Sequence, residues 1–380
     1  MVKETMTPRE RIEAAINLQP TDRVPVMPLV DVLFPCRYKG IALSEGVRNL
    51  DLGRQAIMEV FDEVGGWDGM ILAGFSMVLV PTLAAALQVP RRILPGRELP
   101  ENYIPQYDER ELLTAEDYDA IADLGWRGFA EKCRQRLDPR PPERIIAWAE
   151  KQTEQYVRDI RAWEERGVPC LVGAMVDSPL MFFSVKRTLT QFTFDLYRRP
   201  DRVAAAMDAV VDEFIEDAIA TTKITGLPCV MLVLERGGGF YYPLKIFERF
   251  EFPYLKRMVE AFAAEGIRSL LHFDQDWTIN LPYLRELPRG MCICEVDSTT
   301  DIFKAKEILQ GHMCIMGDVP ASLQAVGTPQ EVEAYCRKLI DVVGRGGGFI
   351  LSSGCSVPVD TRFENFKAMV DTAKSYPAPK

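Results

Sequence analysis

Cys229-Val230-Met231-Leu232-Val233-Leu234-Glu235 is an unbroken apolar run that ends on a carboxylate. A run of this length without polar alternation suits a strand covered on both faces, the usual condition in a parallel sheet. Seven comparable runs flank it, at 24–30, 68–73 and 170–175 before it and at 269–274, 292–296, 314–317 and 349–353 after it, most followed by a helical pattern. Strands alternating with helices pair in parallel through right-handed crossovers, and eight such units close into a (β/α)8 TIM barrel, an α/β fold. A doubly wound open sheet would favour a Gly-x-Gly-x-x-Gly after the first strand, where the chain reads Val30-Asp31-Val32-Leu33-Phe34.

Outward from the runs, Thr7-Pro8-Arg9-Glu10 and Thr328-Pro329-Gln330-Glu331 each place Thr at an N-cap, Pro at the first helical position and Glu at the third, the pattern of a capping box. The stretch 75–167, between the second and third runs, exceeds one crossover and holds seven prolines from Pro90 to Pro142 before a helical pattern at 143–166. It reads as a helical insertion covering the barrel mouth, and with no internal repeat the whole of 1–380 reads as one domain. The 45 Lys+Arg against 55 Asp+Glu give a formal charge of −10, which argues against nucleic acid and anionic membranes, since both reward clustered cations. No apolar run reaches the roughly 18 residues of a membrane span, and Met1–Thr5 lack an apolar signal core, so a cytoplasmic protein is expected. Nine dispersed cysteines fit reduced core residues better than a disulfide scaffold.

In such a barrel the chemistry sits where strands end at their C-terminal side. Polar residues closing runs are Asp177, Glu235, His272 with Asp274, Asp297, Asp318 and Cys355. His312 precedes its strand and belongs to the opposite, stabilising face. His272 has as companions Glu235, Asp274 and Cys355, which close three different runs, a mixed nitrogen, oxygen and sulfur set that zinc accepts. Pro253 disfavours helix at Phe252, so the chain should break there and direct Glu251 toward the mouth. Gly237-Gly238-Gly239 opens no helix and reads as close backbone approach to a flat ligand rather than a phosphate cradle. Phe240, Tyr241, Tyr242 and Trp277 could line a pocket for a neutral aromatic ring, with Asp177 as a further substrate-binding residue.

The sequence resembles the uroporphyrinogen decarboxylase superfamily over nearly its whole length: Glu10-Arg11 through Asp22-Arg23-Val24-Pro25-Val26, Phe252-Pro253-Tyr254-Leu255-Lys256-Arg257, Met316-Gly317-Asp318-Val319, Gly327-Thr328-Pro329, the segment from Gly348 to Cys355, and Glu364-Asn365. The resemblance implies the same barrel, and either tetrapyrrole decarboxylation or corrinoid-dependent methyl transfer. Decarboxylases of the family carry an Arg-Gln-Ala-Gly-Arg-Tyr-type motif for substrate carboxylates; here only Arg37-Tyr38 of Asp31 to Tyr38 survives. The methyltransferase branch commonly binds zinc through His-x-Cys and a late Cys, matched here by His272-Phe273-Asp274 and Cys355. Members that cleave methyl ethers take zinc from Glu, Glu and His, which Glu235, Glu251 and His272 would supply, ranking Cys355 below His272.

The resemblance therefore implies a zinc-dependent methyltransferase whose corrinoid arrives on a partner protein, because the chain lacks an Asp-x-His-x-x-Gly corrinoid loop. Demethylation of a methyl ether is the expected reaction, or methyl passage between corrinoid and a thiol or folate; the small-molecule methyl donor or acceptor is a second partner, and a homodimer is allowed. Glu235, His272 and Asp297 are the expected catalytic residues. Decarboxylation of uroporphyrinogen or a related acid, with Asp177 or Asp297 stabilising a protonated pyrrole, is the alternative.

Overall fold

A computed structural model describes residues 4–379. The hairpin strands β1 (Arg92–Ile93) and β2 (Gln106–Tyr107) pair antiparallel, while β3 (Ala174–Asp177), β4 (Cys229–Val233), β5 (Arg268–Phe273), β6 (Cys292–Val296), β7 (Cys314–Val319) and β8 (Phe349–Ser353) form a parallel sheet in chain order. The first two expected strands are extended segments that complete the ring through individual bonds. Met27 N–H donates to Leu351 O at 2.9 Å, Asp68 N–H to Val26 O at 2.8 Å, and Leu171 N–H to Met70 O at 2.9 Å. The (β/α)8 barrel is thus the observed architecture, with six regular strands and two short ones.

Inside the barrel, Ile71, Met231, Leu270, Ile293, Met316 and Ile350 belong to one buried cluster. Side chains alternate along a strand, so two residues beyond Leu270, Ile293 and Ile350 the same inward face carries His272, Glu295 and Ser352. An apolar floor therefore passes into a polar mouth within one period of the pleat. The opposite end is closed by charge: Asp68 accepts from Arg11 Nη1 at 2.7 Å, Arg23 Nη1 at 2.7 Å, Arg23 Nη2 at 2.9 Å and the Val26 N–H at 2.8 Å. The Arg11, Asp22 and Arg23 motif is accordingly a structural clamp. His312 lies at that end too, buried with Nε2 3.2 Å from Leu284 O.

Both capping boxes form, at Thr7 with Glu10 and at Thr328 with Glu331. The insertion divides between two places. Its helix Pro142–Glu164 buries Ile145, Ala149, Tyr156, Ile160 and Trp163, one stripe at helical spacing, which must lie against a sheet rather than over an opening. The Tyr156 hydroxyl donates to Val172 O at 2.9 Å and accepts from Ala73 N–H at 3.2 Å, which makes this helix the outer crossover between the second and third barrel segments. Other parts of the insertion do reach the mouth: hairpin β1–β2, the segment 77–90, which shares a cavity with Asp177, and Glu109, which pairs with Arg236. No helix of the described residues is long and apolar enough to cross a membrane, and all nine cysteines are free.

Candidate metal centre at the barrel mouth

His272 near the end of β5, Asp274 just beyond it and Cys355 beyond β8 come together, with one donor atom from each lying within 4.8 Å of the others. His272 Nε2 is 3.7 Å from Asp274 Oδ1 and 3.8 Å from Cys355 Sγ, and Sγ is 3.9 Å from Asp274 Oδ2. Donors about 2.0–2.3 Å from a tetrahedral zinc stand roughly 3.3–3.8 Å apart, so a small closure accommodates the ion. Asp274 Oδ1 is buried and has no hydrogen-bond partner. A buried, unpartnered carboxylate oxygen beside an imidazole and a thiol has lone pairs that a cation could satisfy. The residues present fit zinc.

Behind the ring, His272 Nδ1 lies 2.7 Å from Glu295 Oε2. Parallel pairing of β5 with β6 sets His272 opposite Glu295, so both point into the barrel. The carboxylate fixes the Nδ1–H tautomer and turns the Nε2 lone pair toward Cys355 and Asp274. Burial opposes a charged ring, yet Glu295 and Cys355 hold the His272 pKa well above its ordinary value, so a cation binding at Nε2 would do so by displacing a proton. The Cys355 thiol is pushed up by burial, with His272 pulling the other way. Glu295 was legible as a signal that sequence reading passed over: it is an acid inside the apolar run Cys292-Ile293-Cys294-Glu295-Val296, and a buried charge in a strand needs a partner.

The other sequence candidates fall into separate places. Glu235 faces this cluster closely enough that, after burial, Asp274 raises its pKa and His272 lowers it. Asp177, above β3's apolar residues, is pushed up to about 7 by burial and by Glu235. Glu251 does not join the metal-binding trio. The helix breaks one residue earlier than expected, at Glu251 itself, since one helix ends at Phe250 and Phe252 already opens the next with Pro253 in its first turn, where proline is tolerated. The freed side chain, however, turns under the ends of β3 and β4: Ser178 Oγ donates to Glu251 Oε2 at 3.0 Å, and a Cβ on Gly237 would stand 2.7 Å from that oxygen. Burial pushes its pKa up to about 8. Of the expected ligands Glu235, Glu251, His272 and Cys355, the geometry brings His272 and Cys355 together, with Asp274 as the third donor.

Asp297 spends its carboxylate on its own surroundings, accepting from Gln275 N–H at 2.9 Å and from Thr299 N–H at 2.9 Å and Oγ1 at 2.6 Å. Short acids followed by Thr fold back on local amides in this way, and the result holds the loop after Asp274. Trp277 is buried with its ring 4.3 Å from Phe273, and its Nε1–H donates to Asp274 O at 3.0 Å. It supports the Asp274 backbone and presents no face to a ligand. Tyr241 is half-buried between Phe240 and Tyr242, with ring centroids at 4.9 and 6.3 Å. The three glycines are already filled from within the chain, Gly237 by Glu251 and Gly238 by Trp277, so close approach there serves packing. Arg37 is exposed and pairs with Asp360 at 3.4 Å.

A (β/α)8 barrel whose mouth assembles imidazole, carboxylate and thiol is the class that fold and site define. The uroporphyrinogen decarboxylase (URO-D) family profile matches residues 149–376, more than half of the chain, and the chain belongs to that family. The methylcobamide:CoM methyltransferase MtbA of Methanosarcina mazei is 22% identical over 378 residues, spanning 97% of this chain and 98% of its own. A uroporphyrinogen decarboxylase from Anaeromyxobacter dehalogenans is 30% identical over 129 residues, 34% of this chain and 36% of its own. Among solved structures, a methyltransferase from Methanosarcina mazei superposes with a TM-score of 0.70 at 16% identity, covering 98% of this chain and 99% of its own, which establishes the shared fold.

Proposed function

We propose that the protein is a zinc-dependent methyltransferase working with a separate corrinoid protein, and that its methyl donor is an ether. The observation that carries this reading is the meeting of His272, Asp274 and Cys355 around an orphaned carboxylate oxygen. Zinc held there would act as a Lewis acid on the donor's oxygen. Asp274 stands where thiol-activating relatives carry Cys, and oxygen ligation makes that acid harder and better matched to an ether oxygen. Glu295 keeps His272 in its ligating tautomer, Trp277 holds the Asp274 backbone, and Asp297 holds the loop between them. Asp177, with its pKa near 7, can hold or deliver a proton at the mouth when the alkoxide or phenolate departs.

The full-length similarity to a methylcobamide:CoM methyltransferase and the presence of Cys355 in the cluster favour one second reading, methyl transfer from corrinoid to a thiol. Decarboxylation of an octa-acid is disfavoured by a mouth rich in carboxylates, Asp177, Glu235 and Asp274 among them, and by the engagement of Arg37 with Asp360. The test combines metal analysis of protein purified without chelator with assays of methyl-cobalt formation by absorbance. Reduced corrinoid protein is offered methoxy-aromatic donors, methyl-corrinoid is offered thiol or folate, and uroporphyrinogen turnover is followed in parallel. About one zinc per chain and methyl-cobalt from an ether are expected; a metal-free active enzyme, or porphyrinogen decarboxylation without methyl transfer, would overturn the assignment.

A further inference from the structure

Hairpin β1–β2 is a part of the insertion that reaches the mouth. Its register sets Arg92 opposite Tyr107 and Ile93 opposite Gln106. Cross-strand partners share a face, so Arg92 and Tyr107 point together while Gln106 points away. The shared face is turned to the site: the Tyr107 hydroxyl donates to Glu235 Oε1 at 3.4 Å, and the Arg92 guanidinium lies over the Tyr107 ring at 5.4 Å from its centroid. The charge of Arg92 reaches the carboxylates of Asp31, Asp177 and Glu235, which leave the barrel on three different segments. The hairpin is itself secured from outside, by Ser44 N–H donating to Glu101 O at 2.9 Å and Leu43 N–H to Asn102 Oδ1 at 3.2 Å.

We infer that Tyr107 is a positioning residue that holds Glu235 toward the His272, Asp274 and Cys355 cluster, so that the hairpin completes the reaction chamber. The inference rests on the metal-site reading given above. Glu235 leaves β4 beyond its last ladder pair, Val233 with His272, and Tyr107 is the side chain that donates to it. A free carboxylate at a strand exit samples several rotamers; one hydrogen bond from a ring clamped under a guanidinium selects among them. The orientation of the Glu235 carboxylate is thereby set by a segment more than one hundred residues away in sequence. Zinc binding itself needs no hairpin residue, because the three clustered donors come from β5 and the segment after β8.

The experiment is a double-substitution cycle of Tyr107→Phe and Glu235→Gln, with Gln106→Ala as the control on the opposite face of the hairpin. It reads zinc content, kcat and KM separately, and the visible absorption of protein loaded with cobalt(II). Expected are unchanged zinc content and thermal midpoint in Tyr107→Phe, a three- to tenfold lower kcat with KM within twofold, and a cobalt band shift that Glu235→Gln reproduces. The double variant should be no worse than Glu235→Gln alone. Because the cobalt spectrum requires no turnover, it judges the Tyr107 to Glu235 link even where methyl transfer from every donor fails. Additive effects in the double variant, or a cobalt spectrum in Tyr107→Phe indistinguishable from that of the unsubstituted protein, would overturn the proposal.

Discussion

Glu251→Gln separates the proposed His272, Asp274 and Cys355 trio from the ligand set expected from sequence, and its energetic consequence can be worked out beforehand. Glu251 is 0% exposed, accepts one hydrogen bond, from Ser178 Oγ at 3.0 Å, and leaves Oε1 without a partner. Burial lifts its pKa from 4.5 to about 8. In the unfolded chain the carboxyl ionises near 4.5, whereas in the folded protein it stays protonated until about pH 8, so between these values the unfolded state binds fewer protons. Stability from this group is fully present below pH 4.5 and declines as pH rises toward 8. Each pH unit inside the window is worth about 1.4 kcal/mol, so moving from pH 5 to pH 7 removes on the order of 3 kcal/mol. Gln fills the same volume and does not titrate. Urea unfolding of metal-free protein at pH 5, 6 and 7 should therefore show a flatter pH dependence for Glu251→Gln, while zinc content at pH 7 stays near one per chain. Absolute stability is the poorer measure, since a Gln amide meeting the space at Oε1 costs about 1–3 kcal/mol if unpaired. Parallel pH profiles for the two proteins would refute the buried-acid argument. Loss of zinc in the variant would return Glu251 to the coordination sphere.

Cys355→Ser should lower zinc affinity at least tenfold and His272→Ala should abolish zinc binding, both with the fold retained by circular dichroism, since mouth ligands add little to a core of this size; zinc kept by Cys355→Ser would restore the ranking in which sulfur is dispensable. Glu295→Gln should weaken zinc binding by about 10–100-fold, read by competition with a chromogenic chelator, because the amide no longer enforces the Nδ1–H tautomer. Asp68→Asn should cost about 3–5 kcal/mol in denaturant unfolding without changing zinc content, since it strands Arg11 and Arg23 at the closed end of the barrel; a loss below about 1 kcal/mol would mean that the clamp is not a stability device.

The eight runs were readable because period and composition along a strand are local properties: an apolar stretch such as 229–234 must be covered on both faces wherever it lies, and eight of them alternating with helical patterns leave few ways to close. The same locality made the two capping boxes, a helix break beside Pro253 and the strand-end positions of His272 and Cys355 visible. What the chain order cannot encode is which strand ends meet. Glu251 and Asp274 were equivalent acids until the helix junction turned one under Gly237 and the β5 exit set the other beside Cys355. Trp277 looked like a ligand-facing ring, but the packing of Phe247 and Phe273 drew it into the wall. The insertion likewise divided on a tertiary criterion, its amphipathic helix seeking the outer face of the sheet while the short hairpin, with little apolar surface to bury, was left to lie over the mouth and bring Tyr107 to Glu235. Local pattern determines which elements form and which face of each is apolar; the convergence of donors across 83 residues of chain, His272 with Cys355, arises only when the barrel closes and the register of every strand is set by its neighbours.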